Sequence, residues 1–242
     1  MQRLGRVAVG RSGSGRRLRR GLAGVALVSL LALSGCAHDS NEALRVGDTS
    51  IDNSDVEAAA APLAASLENS GVSDAVGQVR QSVASLMVFR EVARRYAQEK
   101  GITPSAPDYA GAASTLQAGE DDPYVRLDAE VVAYLTALRA SVTPRTPTEE
   151  EMRAVFDSFV RLAGPDVATY DQIKSELLSL EDYSRALALR DELLAAIDRY
   201  GLTVNPRYQP LTFQLLVVSN GQLVLVDLPL GQQGTGASRP EG

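Results

Sequence analysis

Apolar residues recur at helical spacing through most of the middle of the chain. The valines and leucine from Val72 to Leu86 are separated by steps of three and four, which places them on one face of an α-helix. This pattern predicts a long helix that runs to about Lys100 and ends at Gly101. Apolar residues spread more widely in its second half, so we expect that half to be buried on more than one side. Similar patterns predict further helices beginning near Val56, over about 107–116, from Pro123, over 148–162, and as one continuous helix from Tyr170 to Tyr200.

The two ends of this helical region have strand patterns instead. Residues 43–51 predict a short strand, a turn and a second extended piece, and residues 202–208 predict another extended segment. Asn220-Gly221 between two apolar runs predicts a β-hairpin over 213–226. Short strands leave backbone groups unpaired unless they find a partner. We therefore expect the strand near Leu44–Val46 to pair with 202–208 or with the hairpin. The fold class predicted is mainly α (α+β), with one domain over 43–230 and a flexible tail over 231–242.

The first 35 residues have a different pattern. They contain seven arginines and no acidic residue, and the mostly apolar stretch Leu22–Leu33 follows the arginines. Such a stretch is too short to span a bilayer but is typical of a signal peptide. Leu33-Ser34-Gly35-Cys36 resembles the bacterial lipobox, in which small residues precede a cysteine that becomes lipidated. An ordinary secretory signal with a chance cysteine is the alternative.

The lipobox interpretation predicts a membrane-anchored protein. A lipoprotein signal peptide would occupy 1–35, cleavage would fall between Gly35 and Cys36, and diacylglycerol and palmitate would be attached to Cys36. Residues 36–42, including the single histidine His38, would form a solvated tether. Several acyl chains together give stable anchoring. We therefore expect an exported protein, held on the outer face of the cytoplasmic membrane.

Composition narrows the functional classes. The 242-residue chain has a net charge of −6, and without the first 35 residues 17 basic residues stand against 30 acidic ones. An acidic body is a poor match for nucleic-acid phosphates, so no nucleic-acid partner is expected. One cysteine and one histidine allow neither an intrachain disulfide nor a histidine-rich metal site. No nucleotide-binding, phosphate-loop, hydrolase or zinc-protease motif is present.

Acidic clusters are the remaining candidates for chemistry. Asp121-Asp122 is interpreted as a solvated loop pair, and Glu149-Glu150-Glu151 as a helix start, where the helix dipole favours acids. We expect no catalytic, cofactor or metal site.

Three stretches of the mature chain carry a family likeness. They are residues 44–56, residues 83–105 with the ending Gly-Ile-Thr-Pro-Ser, and a third made of 147–156, 170–177 and Val204-Asn-Pro-Arg-Tyr208. In this order and spacing they resemble the N-terminal chaperone domain of SurA/PrsA-type foldases, particularly of actinobacterial kind. The resemblance covers roughly 43–210. It implies a helical chaperone domain that binds unfolded polypeptides, with peptide-binding residues that remain unknown.

The chain departs from this family in ways that change the expected function. In the foldases a parvulin prolyl isomerase domain separates the helices that resemble 148–162 and 170–200, whereas here only Ala163–Thr169 lies between them. Gln209 replaces the family's glycine, and the hairpin is an addition. We therefore predict a non-catalytic, lipid-anchored cell-envelope chaperone that binds unfolded or exported polypeptides. The alternative is an adaptor or structural lipoprotein that uses the same fold to bind one dedicated envelope partner.

Overall fold

Helices make up most of the part of the chain that the structure describes, as the apolar pattern predicts. The computed structural model describes residues 41–69, 75–164, 168–219 and 222–231. The predicted signal peptide, Cys36, His38 and the tail after residue 231 lie outside these ranges. Among the described helices none is long and apolar enough to cross a membrane.

The described elements follow one another in the order strand, helices, strands. The helices are α1 (Asn53–Asn69), α2 (Val76–Lys100), α3 (Tyr109–Leu116), α4 (Pro123–Ser141), α5 (Glu149–Ala163), α6 (Tyr170–Ser179) and α7 (Glu181–Tyr200). The strands are β1 (Glu42–Val46), β2 (Thr49–Asp52), β3 (Leu202–Val204), β4 (Leu211–Ser219) and β5 (Gln222–Gly231). The mainly α (α+β) class is thereby confirmed. The first strand begins at Glu42, inside the tether predicted over 36–42.

Helix α2 is the centre of the hydrophobic core. Its buried residues include Val83, Val88, Phe89 and Ala93, and it contacts α1, α4, α7, β1 and the hairpin strands. The expected burial on more than one side is therefore observed. Gly101 ends the helix with a φ of 68°, a left-handed conformation that glycine adopts at little cost.

The start and the end of the domain meet in one sheet. Strand β1 lies between β2 and β3, and both pairings are antiparallel. Leu44 pairs with Val204, and Val46 pairs with Leu202. The predicted pairing of terminal strands is confirmed, and the partner of β1 is the 202–204 segment rather than the hairpin.

The motif Asn205-Pro-Arg-Tyr208 forms hydrogen bonds that join the C-terminal part of the domain to its N-terminal strand and first helix. The Asn205 backbone N–H donates to the carbonyl oxygen of Ala43 at 2.8 Å, and its side-chain amide donates to that of Glu42 at 3.0 Å. The Tyr208 hydroxyl bonds to Asn53 Oδ1 at 2.9 Å. These contacts give the motif a structural role at the meeting point of the two chain ends.

The C-terminal hairpin forms a sheet of its own. Strands β4 and β5 pair antiparallel along their full length, so both extend beyond the 213–226 span expected from sequence. Alternate residues of β4 are buried against α2 and α7, while Leu216 on the opposite face is 49% exposed. The rings of Phe213 and Phe89 stack with centroids 3.9 Å apart, which attaches the hairpin to the central helix.

The single helix predicted over Tyr170–Tyr200 is wrong. The chain is extended at Leu180 (φ −86°, ψ 98°), which separates α6 from α7. The apolar positions before and after this residue lie on different helical faces, so a straight helix could not bury both sets. The break lets α6 contact α5 while α7 contacts α2 and β5.

Candidate functional site

An open cleft of about 610 Å³ lies between helices α5, α6 and α7 and strand β5. This volume falls within the range of roughly 300–1,000 Å³ that is usual for binding sites in proteins. Most of the lining is apolar: Val155, Phe159, Ile173, Leu177, Leu180, Leu187 and Val224–Val226.

Helix α5 is the outer wall of the cleft, and its apolar face is only partly covered. Met152 is buried, but Val155 and Phe159 are half-buried, and Ala154 on the cleft side is exposed. The main neighbour of α5 is α6, and α6 leaves part of the apolar face of α5 uncovered. The uncovered part faces the cleft.

Helices α5 and α6 are joined into a unit that we call the α5–α6 arm. Glu149 at the start of α5 accepts hydrogen bonds of 2.6 Å from both Lys174 Nζ and the Tyr170 hydroxyl. The hydrogen bond from Lys174 is the main cause that lowers the pKa of Glu149, and the bond from Tyr170 lowers this pKa further. The rings of Phe156 and Tyr170 meet edge to face at 5.5 Å between centroids.

A network of charged side chains borders the cleft, which Glu151 and Arg190 of this network line. Glu151 accepts hydrogen bonds from Arg145, with Nη1 2.8 Å from Oε2, and from Arg190 on α7. It also caps its own helix, because its carboxylate accepts from the Thr148 backbone N–H at 2.8 Å. Arg145 also donates to Asp191 at 2.6 Å. The guanidinium of Arg145 is the main cause that holds the pKa of Glu151 well below its usual range. The network therefore ties the arm to α7.

Tyr183 lies on the floor of the cleft. Its side chain is almost fully buried, and this burial raises the pKa of Tyr183 to about 12. Within the part of the chain that the structure describes, its hydroxyl forms no hydrogen bond with another residue. The floor therefore offers an occupant one hydrogen-bonding group, the hydroxyl of Tyr183.

Strand β5 forms the inner wall with its edge rather than with one face. The four consecutive residues Val224–Asp227 all line the cleft, although successive side chains of a strand point to opposite faces. The charged groups of the lining are three carboxylates, of Glu151, Glu176 and Asp227, and one guanidinium, of Arg190. The cleft is therefore apolar with an acidic rim.

The acidic clusters singled out from the sequence lie in structural positions. Asp122 caps α4, and its carboxylate accepts from the Tyr124 backbone N–H at 2.8 Å. Of the cluster at 149–151, only Glu151 reaches the cleft. In the described ranges, no group of three or more His, Cys, Asp or Glu residues is placed to hold a metal ion.

The sequence did not identify the cleft residues, although two signals of the cleft are present in it. The short amphipathic helix α5 has Met152, Val155, Phe156 and Phe159 on its apolar face. The run Leu215-Leu216-Val217-Val218 breaks the alternation of a strand with one buried face, which indicates apolar residues on both sides of the hairpin.

No protein-family model, curated protein or solved structure matches this chain. The likeness to the SurA-type chaperone domain therefore rests on the three sequence stretches described above.

Proposed function

We propose that this protein is a lipid-anchored, non-catalytic chaperone of the cell envelope that holds unfolded or exported polypeptides in the cleft beside the α5–α6 arm. The observation that supports this proposal is the cleft, which is open and mostly apolar. Its outer wall is helix α5, whose apolar face is only partly covered. Removing such surface from water contributes about 25 cal/mol per Å² of apolar area, against which the entropy lost on association must be set.

The chemistry of the lining favours a polypeptide over a small metabolite. Small-molecule sites usually combine an apolar pocket with several polar groups that converge on the ligand. Here Glu151 and Arg190 are engaged with each other, and much of the lining is apolar, including Val155, Phe159 and Leu177. Apolar side chains of many sequences fit such a lining, as the binding of unrelated clients requires.

The predicted anchor places this activity at the membrane. Strand β1 begins at Glu42, so the proposed lipid on Cys36 would be joined to the folded domain by a few residues only. An anchored domain at the outer face would meet exported chains where they emerge unfolded. The sequence likeness to the SurA-type chaperone domain supports the same function.

A substitution that fills the cleft tests the proposal. Ala154 is exposed and lines the cleft, so Ala154→Trp adds a bulky ring there without removing a buried group. The matched control is Ala65→Trp, at an exposed alanine of α1 that does not line the cleft. The assay is light scattering of an unrelated protein that aggregates on dilution from denaturant.

We expect the wild type and Ala65→Trp to suppress aggregation equally, and Ala154→Trp to lose most of this effect. Equal suppression by both variants would contradict the assignment to the cleft. If the wild type does not suppress aggregation and one protein crosslinks to it stoichiometrically in membranes, the adaptor function is correct instead.

A further inference from the structure

We propose that the occupant of the cleft is an extended polypeptide segment that joins the hairpin as a third strand along the edge of β5. This inference rests on the proposed function and adds how the client is held. Peptide recognition by strand addition needs an unpaired edge, room beside it, and pockets for alternate side chains. The structure supplies each of these at β5.

The register of the hairpin shows which backbone groups of β5 face the cleft. Ser219 pairs with Gln222, and only two residues separate them in the sequence. In a hairpin of this loop length the closing pair exchanges both of its hydrogen bonds. Counting from it, the pairs Leu216–Leu225 and Gln214–Asp227 are of the non-hydrogen-bonded kind. The N–H and C=O groups of Leu225 and Asp227 therefore point away from β4, to the outer edge of β5.

Two observations agree with this register, one hydrogen bond and the position of one proline. The carbonyl oxygen of Leu216, which the register directs to the outer edge of β4, accepts a hydrogen bond from Arg139 Nη2. Pro229, which has no N–H, also occupies an outward position on β5, where a proline costs no hydrogen bond of the hairpin. Pro229 thus limits the edge of β5 that can pair with another strand to Val224–Asp227, the part that lines the cleft. We call this part the pairable edge.

The pairable edge has no partner within the described ranges. The sheet there has two strands only, and no hydrogen bond between described residues engages the outward groups of Leu225 or Asp227. The side chain of Leu225 is 44% exposed. An exposed apolar edge strand readily pairs with another chain.

The lining defines the chemistry of the added strand. One face of the new strand would meet Leu177, Leu187 and the other apolar residues of the floor, so every second side chain should be apolar. The opposite face would lie beside Asp227, which is exposed, accepts from Gln214 Nε2 at 3.2 Å and forms no ion pair with any described residue. A lysine or arginine on that face complements the acidic rim.

Charge and composition argue against the two nearest alternatives. Residues 232–242 contain no valine, leucine, isoleucine or aromatic residue, so the chain's own tail lacks the side chains that the floor requires. A second copy would bring another acidic β5 edge, with its own Asp227, to a rim that is already acidic.

The probe for this proposal is a fluorescent nine-residue peptide that alternates valine and lysine, and binding to the full chain is measured by fluorescence anisotropy. Two further peptides carry N-methyl groups on alternate residues, in the two possible registers. Only one register removes the N–H groups that would bond to β5. We expect that peptide to bind at least tenfold more weakly than the parent, and the other to bind within threefold of it. Exchanging lysine for glutamate should also weaken binding at least tenfold.

On the protein side, Leu225→Pro removes an outward N–H of β5, and Leu216→Pro removes an outward N–H of the opposite edge, where it leaves the carbonyl for Arg139. Both positions are non-hydrogen-bonded within the hairpin. Because Leu225 also lines the cleft, Leu225→Ala is the control for loss of its side chain and should keep most of the affinity. We expect only Leu225→Pro to lose peptide affinity. Circular dichroism establishes that both proline variants are folded, and the peptide series decides the question if either is not.

The outcomes separate this inference from the function on which it rests. If the chain suppresses aggregation but both N-methyl registers bind like the parent, strand addition is wrong and the chaperone function stands. If neither the peptide nor any unfolded protein binds, the proposed function itself fails. If sedimentation shows a dimer that only Leu225→Pro dissociates, the occupant is a second copy and the inference is overturned.

Discussion

Replacing Phe213 by alanine tests whether the hairpin is an integral part of the folded core. Phe213 is 8% exposed, and its ring stacks on the fully buried Phe89 with an interplanar angle of 15°. Burial of such a side chain contributes about 1.5–3 kcal/mol. Because the cavity left behind adds to this loss, Phe→Ala changes in cores usually cost about 3–5 kcal/mol. We expect a loss of that size for Phe213→Ala.

The measurement is urea unfolding of the wild type and Phe213→Ala, followed by circular dichroism. The control is Leu216→Ala on the same strand, whose side chain is 49% exposed on the opposite face. It should change the free energy of unfolding by less than about 0.5 kcal/mol. A double-mutant cycle with Phe89→Ala should give a coupling energy of about 0.5–1.5 kcal/mol for the stacked rings.

The size of the loss and the number of transitions decide the outcome. If Phe213→Ala is within about 1 kcal/mol of the control, or if the hairpin melts in a separate transition, the hairpin is an appendage and the cleft lacks a rigid inner wall.

Two further predictions concern the charged network and the anchor. Glu151→Gln should lower the free energy of unfolding at pH 7 by about 1.5–3 kcal/mol, because Arg145 and Arg190 lose a charged acceptor. The folded-state pKa of Glu151 lies below the unfolded value of about 4.3, so this stability is present above that value and is lost as the pH falls through the folded pKa. The melting-temperature difference between wild type and variant should shrink from pH 7 to pH 3, and a constant difference would contradict the network. Cys36→Ser should abolish acylation and release the protein from the membrane fraction or leave an uncleaved precursor, whereas a soluble, unacylated wild type would refute the anchor.

The sequence predicts those elements whose signals are local. The apolar stripe from Val76 to Val83 and the left-handed stop at Gly101 determine α2 within a few residues. The pairing of the first strand with the C-terminal part of the domain follows from the need of short strands for a partner, whereas the register, with Leu44 opposite Val204, comes from the structure. Asn220-Gly221 is enough to predict the hairpin, although these two residues lie outside the described ranges.

The parts that sequence reasoning missed depend on tertiary packing. No glycine or proline marks Leu180, where the predicted helix is broken. The signal available in the sequence is a change in the helical phase of the apolar positions: Ile173 and Leu177 would lie on a different face of a continuous helix from Leu189 and Leu193. The cleft was missed for a similar reason: its residues are ordinary apolar residues, and only the three-dimensional arrangement leaves one side of α5 uncovered.

The location of β1 at the beginning of the domain and of β3 near its end has a consequence for biogenesis. Glu42 and Asn205, which bond to each other across this junction, are 163 residues apart. Closing a loop of that length costs about 4–5 kcal/mol of chain entropy, and contacts this distant form late and slowly. In a chain that crosses the membrane N-terminus first, the sheet and the inner wall of the cleft are completed only after the last segment arrives. Until then the core residues of α2 and α7 that the hairpin covers are exposed, so under the proposed export the chain is itself prone to aggregation before it finishes folding.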